Sequence, residues 1–294
     1  MNKWSVVLIV LVIIYAASNI AANIIGKGTF EDKIVIIPIK GVITVDGGDS
    51  GFYSISGASS DTILKQIEEV SKDKTVKGAI FEINSPGGAV VASQEIADAV
   101  KALNKTKYAV IREVGASGAY WVASATDKII ASPMSITGSI GVISSYLEFS
   151  KLFEKYGVDY ERLVSGERKD IGVPYRDLTD EERKLLQKKL ALVHEYFIKE
   201  VAKNRKMNED EVRKVATGEF YLGQEALDLR LVDELGNEEK AVELMKQELG
   251  IKDINVVKRE ERKGILELLQ GISYNIGQGF GSVFKKEGIK IEAI

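Results

Sequence analysis

Two glycine-containing turns hold the residue types that nucleophilic catalysis requires. The first turn is NSPGG at residues 84–88, the second is GASG at residues 115–118, and each lies between an apolar stretch and a helical pattern. Open α/β sheets bind ligands at the carboxyl ends of their parallel strands, where both turns are expected to lie. Ser117 stands between an alanine and a glycine at the start of a predicted helix, so its hydroxyl is accessible. We therefore interpret Ser117 as a candidate nucleophile.

The glycines of the first turn could stabilise negative charge. Gly87 and Gly88 have no Cβ to obstruct a ligand, and amides at the start of a helix point toward developing negative charge. Such amides form the oxyanion hole that acyl transfer requires. A tight turn whose glycines only relieve steric crowding is the alternative, and NSPGG alone does not decide between the two.

A serine nucleophile needs a base, and the composition leaves few choices. The 294 residues include no cysteine and one histidine, His194. This excludes thiol proteases, disulfides and cysteine-ligated zinc, and a histidine-rich metal site would need a second chain. His194 lies in a long predicted amphipathic helix, and we expect it to be a surface or packing residue. A lysine is then the best candidate to activate Ser117, as in Ser–Lys hydrolases.

The charge balance argues against nucleic acid as a partner. The chain has 40 Lys and Arg residues against 43 Asp and Glu, with a formal charge of -3 at pH 7. Such a balance gives no basic surface that could neutralise phosphates. The composition, 45% hydrophobic and 28% charged, is typical of a folded globular protein.

Alternating strands and helices must position the two turns. Apolar runs predict strands, 3.6-residue periodicity predicts helices, and their alternation is typical of parallel βαβ units in an α/β fold. Strands are predicted at residues 34–39, 78–83, 108–114, 128–131, 140–145 and 160–164. Helices are predicted at residues 89–103, 118–125, 149–156, 180–203, 209–216 and 238–249, with a further helix capped by Asp61 after a long loop at residues 47–60.

The two ends of the chain carry apolar segments. Residues 4–26 contain no charged side chain, and a helix of this length could cross about 30 Å of hydrocarbon. We interpret residues 1–26 as an N-terminal membrane anchor, with a cleaved signal peptide and a buried helix as alternatives. The tail, residues 259–294, has an apolar helical stripe that could pack within an assembly, lie on a membrane or occupy a cleft.

Four motifs together resemble one protein family. NSPGG, GASGAYWVAS, TGSIGV and SGERKD occur in this order between residues 84 and 170, and they resemble the signal peptide peptidase A family of Ser–Lys membrane proteases. The resemblance implies that Ser117 is the nucleophile and Lys169 the general base. It also implies that Ser139 orients the lysine, and that the amides of Gly87 and Gly118 form the oxyanion hole. By itself, a charged turn such as SGERKD is typical of a solvated corner.

The resemblance carries further expectations about architecture and role. It implies a ClpP/crotonase-like fold in a peptidase domain at residues 27–258, with one membrane-spanning anchor and the catalytic domain outside the cytoplasm. It implies no cofactor and no metal, and peptide substrates that are remnants of signal peptides. It also implies a homo-oligomer of about eight subunits in which neighbouring chains share the dyad.

The Ser–Lys mechanism requires an unprotonated amine. A free lysine has a pKa of about 10.4, so roughly one amine in a thousand is neutral at about pH 7.5. A dry, apolar cleft favours the neutral form, and we expect the carboxylate of Asp170 to face away from the amine. Activity is expected to rise steeply between about pH 7 and pH 9.

Three other functions remain open from the sequence. A stomatin-associated NfeD-type Ser–Lys protease would usually carry additional membrane helices. A crotonase-like acyl-CoA enzyme would share the fold and the oxyanion hole but use a carboxylate and bind an adenine nucleotide. A membrane-anchored scaffold would carry the same elements without a reactive serine.

Overall fold

A parallel β-sheet forms the centre of this computed structural model, which describes Tyr15, residues 32–48 and residues 57–259. The strands are β1 (Lys33–Lys40), β2 (Ile43–Thr44), β3 (Ala58–Ser59), β4 (Val76–Ser85), β5 (Thr106–Ala116), β6 (Lys128–Ala131), β7 (Ile136–Gly138), β8 (Phe220–Leu222), β9 (Glu234–Leu235) and β10 (Asn255–Lys258). The main sheet has the order β10, β1, β4, β5, β6, β9, and all of these neighbours are parallel.

Two short additions complete the strand pairing. β7 pairs in parallel with the end of β5 and antiparallel with β8. β2 and β3 form a separate two-stranded parallel sheet. Because β7 takes the place beside β5 where β6 has ended, the carboxyl end of β5 stays hydrogen-bonded up to Ala116. The residue after β5 therefore follows a strand that is hydrogen-bonded to its last residue.

Helices cover the two faces of the sheet unequally. The helices are α1 (Ser60–Lys72), α2 (Val90–Ala102), α3 (Gly118–Ser124), α4 (Ser150–Lys155), α5 (Asp180–Arg205), α6 (Glu209–Val215), α7 (Gly223–Asp228) and α8 (Glu238–Leu249). The larger core contains buried residues of α1, α2, α3 and α5. On the opposite face α8 covers a smaller core with Ala241 and Met245.

Strand β1 illustrates why the sequence folds this way. Its run of β-branched residues is buried on both sides. Val35, Ile37 and Ile39 pack into the larger core, whereas Ile34 and Ile36 pack under α8. Alternate residues of a strand face opposite sides, so a nearly continuous apolar run is expected of a strand between two helical layers. The parallel α/β architecture predicted from the sequence is thus confirmed.

Two predicted strands are absent. Residues 140–145 and 160–164 form no strand, although both contain residues that are common in strands. Ile143 and Leu163, which should have faced a core, are 88% and 86% exposed. Neither segment pairs with a strand in the described part of the sheet. A smaller difference is that Ser59, not Asp61, caps α1.

The segment that contains these exposed residues forms an arm, which we define as residues 141–178. Its regular structure is the short helix α4. Stacked aromatic rings give the arm a small core of its own: Phe153 packs on Phe149 and Tyr175, and Tyr160 packs on Tyr175. The Phe149 amide donates to Pro174 O at 2.8 Å, which joins two distant parts of the arm.

Several predicted segments lie outside the described residues. They are the N-terminal anchor apart from Tyr15, the middle of the loop at residues 49–56, and the tail from residue 260. In the described part of the chain, no helix combines the length and apolarity needed to span a membrane. The described residues from 32 to 258 belong to one compact unit.

Candidate active site

Ser117 occupies a sharp turn between β5 and α3. Its φ of 53° and ψ of −127° lie in a region that side-chain-bearing residues rarely adopt. Two hydrogen bonds hold this conformation: Ser117 N–H donates to Gly138 O at 2.9 Å, and Trp121 N–H donates to Ser117 O at 3.0 Å. The turn is therefore fixed from both sides, and strained backbone of this kind concentrates at functional sites.

The turn after β4, which contains Gly87, is in close contact with the turn that contains Ser117. Gly87 has a φ of +95°, and a Cβ added to it would lie 2.7 Å from Gly118 N and 2.9 Å from the Ser117 Cβ. Only glycine fits this approach. The Gly87 amide, predicted as an oxyanion donor, donates instead to Ser85 Oγ at 3.1 Å, so the structure does not leave it available for that role.

The next amide along the chain is available. Gly88 lines the cavity beside Ser117, and its N–H meets no acceptor among the described residues. It precedes α2, whose first turn has no side-chain cap. Gly118 is the first residue of α3, which also has no side-chain cap. Two uncapped helix starts thus direct backbone N–H groups at the region of Ser117.

Ser139 lies beside Ser117 after strand β7. Its φ is 50°, its amide donates to Glu219 O at 2.8 Å, and its hydroxyl donates to Gly218 O at 3.3 Å. The preceding residue, Gly138, supplies the carbonyl that accepts the Ser117 N–H. The structure therefore brings together the serine predicted as nucleophile and the serine predicted to orient the base.

A cavity of about 460 Å³ opens beside these residues. This volume is in the range of ordinary ligand sites. Backbone atoms of the two turns form one wall, and the apolar face of α5 forms the other. At this second wall the Trp121 ring of α3 stacks on the Phe197 ring of α5, with centroids 4.9 Å apart. The lining residues are Pro86, Gly88, Val90, Ser93, Ser117, Gly118, Trp121, Ser139, Gly141, Val142, Ile143, Val193, His194, Phe197, Thr217 and Gly218.

Three polar residues of this cavity are absent from the sequence prediction of the site. His194 is half-buried in the lining, and its Nε2 lies 3.3 Å from Ile140 O. The hydroxyl of Ser93 and the indole N–H of Trp121 are buried without a hydrogen-bond partner among the described residues. The position of His194 three residues before Phe197 on α5 is the one sequence signal that could have placed it near the cavity.

Lys169 does not reach this cavity within one chain. It lies in the arm, is exposed, and is not among the cavity lining. No hydrogen bond or ion pair joins it to Ser117 in the described part of the structure. The adjacent Asp170 is buried, and its carboxylate accepts hydrogen bonds from Arg162 and Arg176. As expected, Asp170 makes no ion pair with the amine among the described residues.

A metal site requires several ligating side chains that lie close together. Within the described ranges there is no group of three or more His, Asp or Glu residues that could hold a metal ion. The chemical elements of the site are therefore a hydroxyl on a strained turn, two free backbone amides, and an apolar cavity. This combination suits the stabilisation of a tetrahedral oxyanion.

Comparisons with known proteins point to one class of enzyme. The model of peptidase family S49 matches residues 99–252, which include Ser117, Ser139 and Lys169. The chain is 36% identical over 248 residues to a putative signal peptide peptidase SppA of Enterococcus faecium, an alignment that covers 83% of this chain and 72% of the relative. It is 38% identical over 224 residues to the putative protease MJ0651 of Methanocaldococcus jannaschii, with 75% and 72% covered.

A longer relative shows the same similarity. Protease 4 of Haemophilus influenzae is 32% identical over 219 residues, which cover 74% of this chain but 35% of that protein. The shared region thus corresponds to about a third of the longer enzyme.

Proposed function

We propose that this chain, which belongs to peptidase family S49 and is a serine peptidase, hydrolyses peptide bonds with a dyad of Ser117 and Lys169. The main support for this proposal is the strained turn at Ser117. This turn lies at an apolar cavity, beside the backbone amides of Gly88 and Gly118. The parallel sheet with this turn after a central strand fits a ClpP-like fold.

The proposed reaction proceeds through an acyl-enzyme. Ser117 Oγ attacks the carbonyl carbon of the scissile bond while its proton passes to Lys169 Nζ. The amides of Gly88 and Gly118 stabilise the oxyanion of the tetrahedral intermediate. The intermediate collapses, and the leaving amine takes the proton from Lys169. Water then attacks the ester while Lys169 takes its proton; the bond from Ser117 Oγ to the acyl carbon breaks, the carboxylic acid product leaves, and Lys169 returns the proton to Ser117 Oγ. Ser139 would hold the neutral amine in place.

We assign the meeting of serine and lysine to oligomerisation. Within one chain Lys169 is exposed and does not line the Ser117 cavity, so its amine does not meet the serine hydroxyl there. The arm that carries Lys169 also exposes Ile143, Leu147, Tyr156 and Leu163. Contact with a neighbouring subunit would bury both the apolar surface and the amine. The dyad would then combine Ser117 of one subunit with Lys169 of the next.

The cellular role that we propose is degradation of remnant signal peptides at the membrane. The apolar cavity fits the aliphatic side chains of such peptides, and a relative carries the name putative signal peptide peptidase. Residues 1–26 would anchor the protein in the cell membrane as a single span, with the catalytic domain outside the cytoplasm.

Mixing two inactive variants tests the shared dyad. Ser117→Ala and Lys169→Ala should each lose labelling by a fluorophosphonate probe and hydrolysis of an apolar peptide by at least 100-fold. Subunits of the two variants are then exchanged by partial dissociation and reassociation. A shared dyad predicts that the mixture recovers a fraction of the wild-type activity. Full activity of either variant alone contradicts the dyad, and an inactive mixture with proven exchange contradicts its sharing.

A further inference from the structure

Asp170 is buried in an arm whose other side chains are exposed or half-buried. It is 7% exposed, and it is the one buried residue between positions 141 and 181. A carboxylate is an unusual group to bury in a segment with so small a core, because burial of a charge is unfavourable unless the charge is paired. Its partners therefore show what holds this part of the arm.

Arg162 binds both ends of the turn that contains Lys169. Its Nε and Nη2 donate to the Asp170 carboxylate at 2.7 and 2.8 Å, and Nη2 also donates to Glu167 O at 2.6 Å. Inside the turn, Lys169 N–H donates to Gly166 O at 3.0 Å. A single planar guanidinium thus holds the residues on both sides of Lys169, a geometry that a lysine side chain could not reproduce.

Arg176 connects the same turn to helix α5. It donates to the Asp170 carboxylate at 2.8 and 3.1 Å, and to the Glu182 carboxylate at 2.7 and 2.9 Å. Glu182 belongs to the capping box at the start of α5, together with Thr179. The same helix later supplies the cavity residue Phe197. A continuous set of bidentate bonds therefore runs from the lysine turn to the helix that forms a cavity wall.

We propose that Arg162 and Arg176 are positioning residues for Lys169: they fix its turn and neutralise the neighbouring Asp170, so that the amine can lose its proton. This inference rests on the proposed role of Lys169 as the base. The charges of the cluster sum to zero, since Arg162 and Arg176 oppose Asp170 and Glu182. The other charged groups around the turn are Glu167, Arg168, Asp180 and Glu181, with Arg168 and Glu181 4.0 Å apart.

The charges of this cluster stay fixed over the working range of a neutral or alkaline enzyme. Hydrogen bonds from Arg162 and Arg176 hold the pKa of Asp170 well below its usual range. Hydrogen bonds from Arg176 and the Thr179 amide lower the pKa of Glu182 to about 2. If one arginine is removed, Asp170 keeps its negative charge beside Lys169, and an uncompensated negative charge stabilises a protonated amine.

The pH dependence of the full-length enzyme tests this inference. Arg162→Met and Arg176→Met should move the acidic limb of the kcat/KM profile to higher pH by about one unit, which is a roughly tenfold loss of rate below the limb. Arg162→Lys keeps the charge but not the bidentate geometry, so it should lower kcat without moving the limb. Adding Asp170→Asn to Arg162→Met removes the uncompensated charge and should move the limb back.

Controls distinguish the loss of the positioning role from misfolding and from failure of the proposed dyad. Arg230→Met removes another arginine that pairs with a glutamate, Glu211, outside the arm, and it should leave the limb unchanged. Melting temperature and oligomer size are measured for each variant. A uniform loss of activity at every pH, with the limb unmoved in both methionine variants, overturns the positioning role. Activity retained in Lys169→Ala would instead overturn the dyad itself.

Discussion

At the scale of single residues, the site depends on how closely two turns can approach. Ser117 and Gly87 both have positive φ, and the two turns touch at the point where a Gly87 side chain would be. Glycine at position 87 thus allows the amide of Gly118, a proposed oxyanion donor, to lie beside Ser117, the proposed nucleophile. The same contact explains why the serine turn can keep its strained conformation in the folded protein.

Substitution of Gly87 tests this close approach. Gly87→Ala adds a Cβ within 2.7 Å of the Gly118 amide nitrogen, so we expect the two turns to separate. Displacement of oxyanion donors should lower kcat by about 100-fold or more. The matched control is Gly250→Ala, which also has a positive φ, +69°, but meets nothing within 4 Å.

The control should lose about 1 kcal/mol of unfolding free energy while its kcat stays unchanged. Urea denaturation and steady-state kinetics give both quantities. Wild-type kcat in Gly87→Ala would show that the contact does not position the site.

The sequence predicts which residues line the site better than it predicts which of their polar groups lack a hydrogen-bond partner. Ser117, Gly118 and Ser139 line one cavity, and their roles in catalysis stay predictions. The Gly87 N–H, predicted as an oxyanion donor, donates to the Ser85 hydroxyl, whereas the Gly88 N–H has no acceptor among the described residues. A serine that accepts from the N–H two residues on is typical of a turn, but the residue types alone do not decide whether the bond forms. The unpartnered hydroxyl of Ser93 is equally a product of packing.

At the scale of elements, the start of α5 combines a helix cap with an ion-pair cluster. Glu182 accepts hydrogen bonds from Arg176 and from the Thr179 amide, and its pKa falls to about 2. An unfolded glutamate has a pKa of about 4.3. The folded state therefore prefers the ionised form, and the stability that Glu182 contributes is fully present above about pH 4.3.

Acid should remove this contribution. We expect the free energy of unfolding to decrease as pH falls from about 4.3 towards about 2, because Glu182 becomes protonated in that range. In Glu182→Gln the protein should be less stable at neutral pH and the decrease over the same range should be smaller. Urea denaturation at a series of pH values measures both slopes. Identical slopes in the two proteins would contradict the assignment to Glu182.

Elements were predicted well where a segment is long enough to show a clear apolar pattern. The strand at residues 128–131 and the helix at residues 238–249 have the bounds that their patterns indicate. The strands expected at residues 140–145 and 160–164 do not form, because a strand also needs a hydrogen-bonding edge. Apolar residues show only that a segment can be buried, not what covers it. Short β8 and β9 were missed because two or three residues carry no period.

At the scale of the whole molecule, the arm exposes large apolar residues together with Lys169, the proposed base. The start of the arm, residues 141–143, lines the cavity beside Ser117, but Lys169 does not. Contiguous exposed apolar surface on a folded protein marks an interaction site. A second copy of the chain offers an apolar surface that could cover the arm and a Ser117 cavity without a lysine. Assembly would therefore bury the exposed apolar residues and complete the dyad.

A charge placed on the arm should therefore prevent assembly and activity together. Leu163 is 86% exposed in the single chain, so Leu163→Glu should not disturb the fold of that chain. In an interface the new carboxylate would be buried without a partner, which costs several kcal/mol and favours dissociation. Light scattering should then show a monomer, and fluorophosphonate labelling of Ser117 should fall by at least tenfold. Met134→Glu alters a residue that is 68% exposed outside the arm and should leave size and labelling unchanged. A fully labelled Leu163→Glu monomer would mean that one chain completes its own dyad, since the lysine would then reach Ser117 without a neighbour.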